Sequence, residues 1–222
     1  IYRPLREKSM ERILELAKAQ SESTGYEELS LTSLSTGDYS NLHELEDRLD
    51  EMLCSRRVSV SLPSLRIDSF GEDMARQSSA VRKTGLTFAP EAGSQRLRDV
   101  INKNVTEEDL LRCAKIAFEN GYSRIKLYFM IGLPTETQED LQELADLAHK
   151  VADVYYAMDK KMRAPGLNIV VSTSTFVPKP DTPFQWCAQV TQEQILEKQQ
   201  FLRQALRRRG ISYSWHESKC SQ

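Results

Sequence analysis

The chain has 222 residues, 40% of them hydrophobic and 28% charged, which is enough apolar material for the core of a globular protein. Its 30 basic and 32 acidic residues give a formal charge of -2, so no general attraction to nucleic acid or to a membrane surface is expected. No apolar run reaches the roughly 20 residues that a membrane helix needs, and the first residues carry no secretory signal. These features predict a soluble, cytoplasmic protein without a membrane partner.

Helix and strand patterns alternate along the first half of the chain. Apolar spacing predicts helices over residues 8–20, 42–53 and 72–83, and strands over residues 27–35 and 57–62. Residues 86–90 then predict a further strand. Such alternation is typical of parallel α/β sheets and barrels.

The second half continues this alternation. Thr106 and Asp109 predict a capping box for a helix that ends at Asn120–Gly121. A strand over Arg124–Ile131, a long helix with an apolar stripe from Leu141 to Tyr155, and a strand over Leu167–Val177 follow. A last helix, capped by Thr191 and Gln194, is expected to reach Arg209. No repeat or linker divides the chain, so residues 1–222 are predicted to form one domain.

Three predicted strands alternate apolar residues with small hydroxylated ones, as in Val58, Ser59, Val60 and Ser61. A doubly wound sheet is covered on both faces and has nearly continuous apolar strands. A barrel can keep one polar strand face toward its interior, so the pattern favours a partial (β/α)6 TIM-type barrel with parallel strands and its first strand missing. The alternative is that these hydroxyls bond to neighbouring backbone or lie at strand ends.

The predicted strands end in residues suited to holding a ligand. These ends are Ser35–Asp38, Glu91–Ser94, Gly132–Pro134 and Pro178–Asp181. The carboxyl ends of parallel strands lie on one rim, where α/β proteins build their active sites. Glycine permits close approach of the backbone to a ligand, while carboxylates can accept bonds from an ammonium or from sugar hydroxyls. A shared ligand site on this rim is therefore expected.

Several segments, in this order, resemble the radical S-adenosylmethionine enzymes over essentially the whole chain. The segment 84–94 with Ile101–Lys103 is similar to the family's fourth strand and cofactor loop, and residues 128–137 resemble its fifth strand with a Gly-Leu-Pro turn. Residues 176–184 resemble the end of the sixth strand in the methylthiotransferase-like and coproporphyrinogen-oxidase-like branches. Residues 1–6 and 31–39 resemble a subgroup that is often fused to a cobalamin-binding-like domain.

The resemblance implies a binding site for S-adenosylmethionine. Asp38 takes the place of the family's ammonium-binding glutamate, Glu91 that of a ribose-binding side chain, and Lys103 that of an arginine for the methionine carboxylate. Lysine offers a point charge where arginine offers a bidentate fork, so weaker orientation is expected. Tyr128 stands where some relatives carry aspartate. The implied cofactor-binding residues are Ser35, Thr36, Gly37, Asp38, Glu91, Gly93, Ser94, Lys103, Tyr128, Ile131, Gly132, Pro134 and Val177.

The family also implies a [4Fe-4S] cluster held by a Cys-x3-Cys-x2-Cys loop, with one iron open to S-adenosylmethionine. The chain begins where that loop would end, and none of Cys54, Cys113, Cys187 and Cys220 has the required spacing. We therefore expect a fragment that is inactive alone. In the full-length protein the resemblance implies a 5′-deoxyadenosyl radical, an electron donor such as flavodoxin or ferredoxin, and an unknown substrate, with methyl or thiomethyl transfer and a role for cobalamin left open.

Two other functions are compatible with the sequence. One is a binding or scaffold module that kept the barrel and lost catalysis. The other is an aldolase-type barrel, which would need a lysine inside the barrel; Lys126, flanked by Ile125 and Leu127, is interpreted as a helix-facing or edge residue. RNA is considered as a partner because Arg203 and Arg207–Arg209 are basic, although residues in a last helical turn also favour the helix dipole.

Overall fold

The computed structural model describes residues 6–33, 39–54, 58–61, 67 and 85–215. The chain divides into two compact units, Ile1–Thr84 and Gly85–Gln222. That residues 1–222 form one domain stays a prediction. The predicted helix over 72–83 and the predicted ligand residues Ser35, Thr36, Gly37 and Asp38 lie outside the described residues.

The first unit contains helices α1 (Met10–Thr24) and α2 (Leu42–Cys54) and strands β1 (Glu28–Ser30) and β2 (Ser59–Ser61). The two strands pair in parallel, with Leu29 opposite Val60. Helix α1 begins where the Ser9 side chain accepts a hydrogen bond from the Arg12 backbone, and it ends at Gly25, whose φ is 66°. An apolar cluster joins these elements, formed by Met10, Ala17, Leu29, Leu45, Leu49, Leu53 and Val58.

The second unit is an α/β structure with a parallel sheet in the order β3-β4-β5-β6. Its elements in chain order are β3 (Leu86–Glu91), α3 (Gln95–Val100), α4 (Glu107–Glu119), β4 (Arg124–Ile131), α5 (Gln138–Ala157), β5 (Asn168–Thr175), α6 (Gln192–Ala205) and β6 (Ile211–Trp215). The expected α/β class with parallel strands is confirmed. Helix α3 and strand β6 were not predicted.

The two faces of this sheet differ in burial. In β4 every second residue is buried, from Ile125 through Leu127 and Phe129 to Ile131, and each is at most 1% exposed. Buried residues of α4, α5 and α6 complete this side of the core, including Leu110, Leu144, Ala148, Val151, Ile195 and Leu202. The intervening residues of β4, which point to the other face, are only partly covered. Strand β4, which was predicted as an apolar strand without this alternation, therefore has one buried and one partly covered face.

In β5 the division is less strict than the sequence suggests. Ser172 and Ser174 point to the same face as Tyr128, where Ser172 is buried and Ser174 is partly covered. Thr173 and Thr175 fall on the helix-covered face beside Phe129 and Ile131. There the Thr173 hydroxyl forms a hydrogen bond of 2.8 Å with the Tyr213 hydroxyl. This bond joins two side chains, so it is not the bond to neighbouring backbone that the alternative predicted.

Three helices of the second unit begin with capping boxes, at Thr106, Thr137 and Thr191. The predicted box of Thr106 with Asp109 is confirmed. The last helix ends earlier than predicted, at Ala205 rather than Arg209. Arg208 lies beyond it, donates to the His149 carbonyl at 3.0 Å and pairs with Asp153. The expectation that this run sits in the last helical turn is wrong for residues 207–209.

Candidate functional site

The loops that follow β3 and β4 meet at the carboxyl end of the sheet. Ala92 from the first loop and Leu133 from the second form an apolar cluster with Leu97 of α3, and each is at most 3% exposed. This packing brings two of the predicted ligand-binding segments together, as parallel strands with adjacent carboxyl ends should.

Glu91 ends strand β3 after an irregularity in the pairing. Phe88 lies opposite Leu127, whereas Glu91 lies opposite Phe129, so β3 holds one extra residue at Ala89–Pro90. Proline fits such a bulge because the extra residue need not donate to the sheet. Glu91 adopts a φ of 69°, which a glutamate takes only at a cost of about 1–3 kcal/mol. Such strain is concentrated at functional sites.

The Glu91 carboxylate faces the ammonium of Lys103. The Lys103 Nζ lies 3.6 Å from Glu91 Oε1, and the two side chains are 35% and 30% exposed. Partial burial raises the pKa of Glu91 above its usual value, and the positive charge of Lys103 acts in the opposite direction. Lys103 is held by its backbone, whose N–H donates to the Arg98 carbonyl at 2.8 Å. The structure thus brings together two residues that are 12 positions apart in sequence.

Arg98 fixes the shape of the loop after β3. Its side chain is 2% exposed, and its guanidinium donates to the carbonyls of Ala92 at 3.1 Å and Gly93 at 2.7 Å and to Gln95 Oε1 at 3.0 Å. Burial lowers its pKa, while nearby carboxylates, that of Glu107 foremost, oppose this. Sequence reasoning missed Arg98, because an arginine in a short polar segment usually lies in solvent.

Gly93 and Ser94 contact the protein itself. A Cβ on Gly93 would lie 2.5 Å from Leu144 Cα and 2.6 Å from the Asp140 carbonyl oxygen, so the loop packs directly on α5. The Ser94 hydroxyl accepts from the Leu97 N–H at 3.1 Å and donates to Asp140. These contacts give both residues a structural role, and their contact with a cofactor stays a prediction.

Asp140 connects the two loops. It is 3% exposed, and its carboxylate accepts from Ser94, from Arg96 and from the backbone N–H of Thr137 at 2.7 Å. The hydrogen bonds keep the pKa of Asp140 below its usual value, although burial alone would raise it. Arg96 extends the connection by donating to the Thr135 carbonyl at 2.9 Å.

The turn after β4 is held by an ion pair between the buried Glu136 carboxylate and the half-buried Lys198. The Gly132 N–H donates to Glu136 Oε1 at 3.0 Å, and Lys198 from α6 donates to the same oxygen at 2.7 Å. Gly132 has a φ of 76°, and a Cβ there would lie 2.5 Å from Val190. The turn therefore requires glycine for its conformation and its packing.

The remaining predicted site residues are spread over the same end of the sheet. Ile131 is 1% exposed and points into the helix-covered core, so only its backbone reaches the rim; its carbonyl accepts from the Phe176 N–H at 2.9 Å. Pro134 is half-buried, and Val177 is 40% exposed after β5. Contact of these residues with a ligand stays a prediction.

Lys126 and Tyr128 lie on the partly covered face of β4. The Lys126 ammonium donates to the Tyr128 hydroxyl at 2.8 Å and lies 4.4 Å from the centre of its ring. The interpretation of Lys126 as a helix-facing or edge residue is wrong. Strand β4 is paired on both sides, and Lys126 alternates with the buried Ile125 and Leu127, which places it on the opposite face.

The described residues do not provide the ligands of a metal cluster. Among them, no three His, Cys, Asp or Glu side chains lie close enough together to hold a metal ion. Cys54 is exposed, Cys187 is half-buried and Cys113 is buried within α4. Cys220 lies outside the described part of the chain.

Comparison with known families identifies the family of this chain. The sequence profile of the Radical SAM superfamily matches residues 1–148, which include the loops after β3 and β4. The chain belongs to the Radical SAM superfamily. This family implies S-adenosylmethionine and a [4Fe-4S] cluster as cofactors.

An uncharacterised protein of Methanocaldococcus jannaschii is 34% identical over 213 residues, which span 95% of this chain and 43% of that protein. A second uncharacterised protein of the same organism is 23% identical over 114 residues, or 51% of this chain and 22% of that protein. The chain thus spans less than half the length of these two relatives.

Solved structures share the fold at low sequence identity. Streptococcus suis SuiB, bound to precursor peptide SuiA, is similar with a TM-score of 0.61 and 11% identity, over 97% of this chain and 44% of SuiB. Methylornithine synthase is similar with a TM-score of 0.57 and 14% identity, over 95% of this chain and 62% of the synthase. No helix in the described part of this radical SAM chain is long and apolar enough to cross a membrane.

Proposed function

We propose that this chain holds S-adenosylmethionine at the carboxyl ends of β3 and β4, as the cofactor-binding part of a radical SAM enzyme. The observation that carries the proposal is the Glu91–Lys103 pair, whose ammonium lies 3.6 Å from the carboxylate beside the junction of the two loops. Both residues fall within the segment that matches the family. The strained backbone of Glu91 supports a functional role for that residue.

The two charges suit opposite parts of the cofactor. The Glu91 carboxylate can accept hydrogen bonds from ribose hydroxyls, and the Lys103 ammonium can donate to the methionine carboxylate. At 3.6 Å the pair is an ion pair without a short hydrogen bond, so the donors of Lys103 are not committed to Glu91. Arg98 supports this arrangement by holding the carbonyls of Ala92 and Gly93, which keeps the loop in shape before a ligand arrives.

S-adenosylmethionine supplies a 5′-deoxyadenosyl radical in this family when it is cleaved beside a reduced [4Fe-4S] cluster. The proposal for this chain is confined to binding and orienting the cofactor, since the described residues hold no cluster ligands. For the full-length protein we propose modification of an unidentified substrate, with methyl or thiomethyl transfer as the reaction class. Reduction by a flavodoxin or ferredoxin belongs to the same proposal. The proposal leaves a role for cobalamin and for RNA open.

Calorimetric titration with S-adenosylmethionine tests the site. We expect Lys103→Met to weaken binding at least about tenfold, because a charge-assisted hydrogen bond to the methionine carboxylate is lost. Glu91→Gln should weaken binding about fivefold, since an amide offers one acceptor oxygen where the carboxylate offers two. The matched control is the exposed pair of Lys115 and Glu119, 3.8 Å apart on α4. Lys115→Met and Glu119→Gln should leave the affinity unchanged.

Two results would contradict the proposal. Wild-type protein that does not bind S-adenosylmethionine would exclude this site, and so would Lys103→Met protein that binds as tightly as the control variants. The catalytic part is tested separately, by anaerobic reconstitution of the full-length protein with iron and sulfide and a search for 5′-deoxyadenosine. A normal cluster spectrum without cleavage would favour the alternative of a scaffold that kept the fold and lost catalysis.

A further inference from the structure

Lys126 occupies an unusual position for a cation. It is the third residue of β4, a strand paired with β3 on one side and with β5 on the other. Its neighbours across the sheet are Thr87 and Val170. The side chain lies on the face opposite the helix-covered core and is half-buried. Along the strand it lies two residues after Arg124, the first residue of β4, and five residues before Ile131, the last.

The surroundings of this ammonium contain a phenol where a carboxylate would be expected. Its Nζ donates to the Tyr128 hydroxyl at 2.8 Å and lies 4.4 Å from the ring centre, within the range of a cation–π interaction. Among the described residues, no carboxylate forms an ion pair with Lys126. An ammonium has three donors, and Tyr128 accepts one of them.

The other half-buried lysines of the described chain are paired differently. Lys103 faces Glu91 at 3.6 Å, and Lys198 bonds to Glu136 at 2.7 Å. Partly buried charges are normally paired, because removing an ion from water without a partner is costly. Lys126 is therefore the half-buried lysine whose positive charge is left for a group outside the described chain.

Two serines lie on the same face of the sheet, in register with Tyr128. Ser172 lies opposite Tyr128 in the pairing of β4 with β5, and Ser214 of β6 lies opposite Ser172. The Tyr128 oxygen accepts a hydrogen bond from Lys126. The O–H of Tyr128 can therefore donate to a further acceptor. Ser172 is only 3% exposed, so the groups that this face offers to a ligand are the Lys126 ammonium, the Tyr128 hydroxyl and the exposed Ser214. Donors of this kind recognise oxyanions.

The geometry points to Lys126 and Tyr128 as the residues that hold an anionic group of the substrate, a carboxylate or a phosphate, on this face of the sheet. This inference rests on the proposed function, because it identifies the ligand as the substrate of the same enzyme. This site shares no residue with the Glu91–Lys103 pair that is proposed to bind the cofactor. The substrate must therefore carry a negatively charged group at the end that contacts this face of the sheet.

The test uses protein with 13C-labelled lysine side chains, titrated with inorganic phosphate or acetate at constant ionic strength. The Lys126 signal, assigned by its loss in Lys126→Met, should shift in a saturable way, and the anion that binds more tightly identifies the substrate's group as phosphate or carboxylate. Tyr128→Phe should weaken this binding about fivefold, because one hydrogen-bond donor is removed. Lys150→Met, which removes an exposed partner of Glu107, should leave it unchanged.

Calorimetry with S-adenosylmethionine on the same samples separates the two proposals. Lys126→Met should retain cofactor affinity, and Lys126→Gln provides a second variant if the first does not fold. The inference is overturned if neither anion shifts the wild-type Lys126 signal saturably, or if the Lys126 variants lose cofactor binding. Wild-type protein that binds phosphate or acetate at Lys126 but no S-adenosylmethionine would contradict the proposed function and leave this anion site standing.

Discussion

Replacing Gly93 by alanine should destabilise the second unit strongly. The added Cβ would lie 2.5 Å from Leu144 Cα and 2.6 Å from the Asp140 carbonyl oxygen, and closer still to the Leu144 nitrogen. All three are backbone atoms of α5. Ordinary contacts begin at about 3.4 Å, so the helix and loop must separate by about 1 Å to relieve all three contacts. Overpacking alone costs about 1–3 kcal/mol, and the same shift stretches the bonds of Asp140 to Ser94. We expect a loss of about 3 kcal/mol or more.

Urea unfolding followed by tryptophan fluorescence measures this loss, because both tryptophans, Trp186 and Trp215, belong to the second unit. Gly85→Ala is the matched control: its Cβ would meet Arg124 Cδ and Cγ at 2.9 Å, atoms of an exposed side chain that can move aside. That variant should stay within about 0.5 kcal/mol of wild type. Equal stabilities for Gly93→Ala and Gly85→Ala would refute the claim that the loop packs directly on α5.

Three further changes test other features. Burial, with the charges of nearby aspartates, raises the pKa of Glu46 to about 7, so the folded state binds this proton more tightly than the unfolded state and loses stability as pH rises from 4.5 through about 7. Glu46→Gln should therefore melt like wild type at pH 4 and be more stable at pH 8, by at most about 3 kcal/mol, in circular dichroism melts. Glu136→Gln should cost about 2–3 kcal/mol in urea unfolding by leaving Lys198 poorly paired, and adding Lys198→Met should recover part of this. Glu91→Gly should relieve the positive φ and raise stability by about 1 kcal/mol while weakening S-adenosylmethionine binding; a loss of stability would contradict the strain.

Local signals predicted several elements well. The capping box of Thr106 with Asp109 and the apolar character of Arg124–Ile131 specify a helix start and a strand from neighbouring residues alone, and both agree with the structure. Helix α3 was missed because its six residues are too few for apolar periodicity, and the burial of Leu97 and Arg98 holds it in place. Strand β6 carries the alternation of Ile211, Ser212, Tyr213 and Ser214, a signal that could have predicted it.

The candidate site was less accessible to sequence reasoning. The resemblance pointed to Glu91 and Lys103, but their approach depends on an extra residue in β3 and on the turn that follows α3. Neither a bulge nor a buried arginine such as Arg98 leaves a periodic pattern. Lys126 was assigned to the wrong environment, since flanking apolar residues indicate a strand without indicating which of its faces is covered by helices.

The capping boxes have a consequence for how this protein tolerates change. Helices α4 and α6 begin with pairs drawn from their own first turn, Thr106 with Asp109 and Thr191 with Gln194. Insertions or deletions in the segments before them can therefore accumulate without moving the start of either helix. The start of α5 is different, because Asp140 also binds Ser94, the last residue of the loop after β3, and Arg96 in the first turn of α3. The loop after β3 and the loop after β4 are therefore expected to change together during evolution.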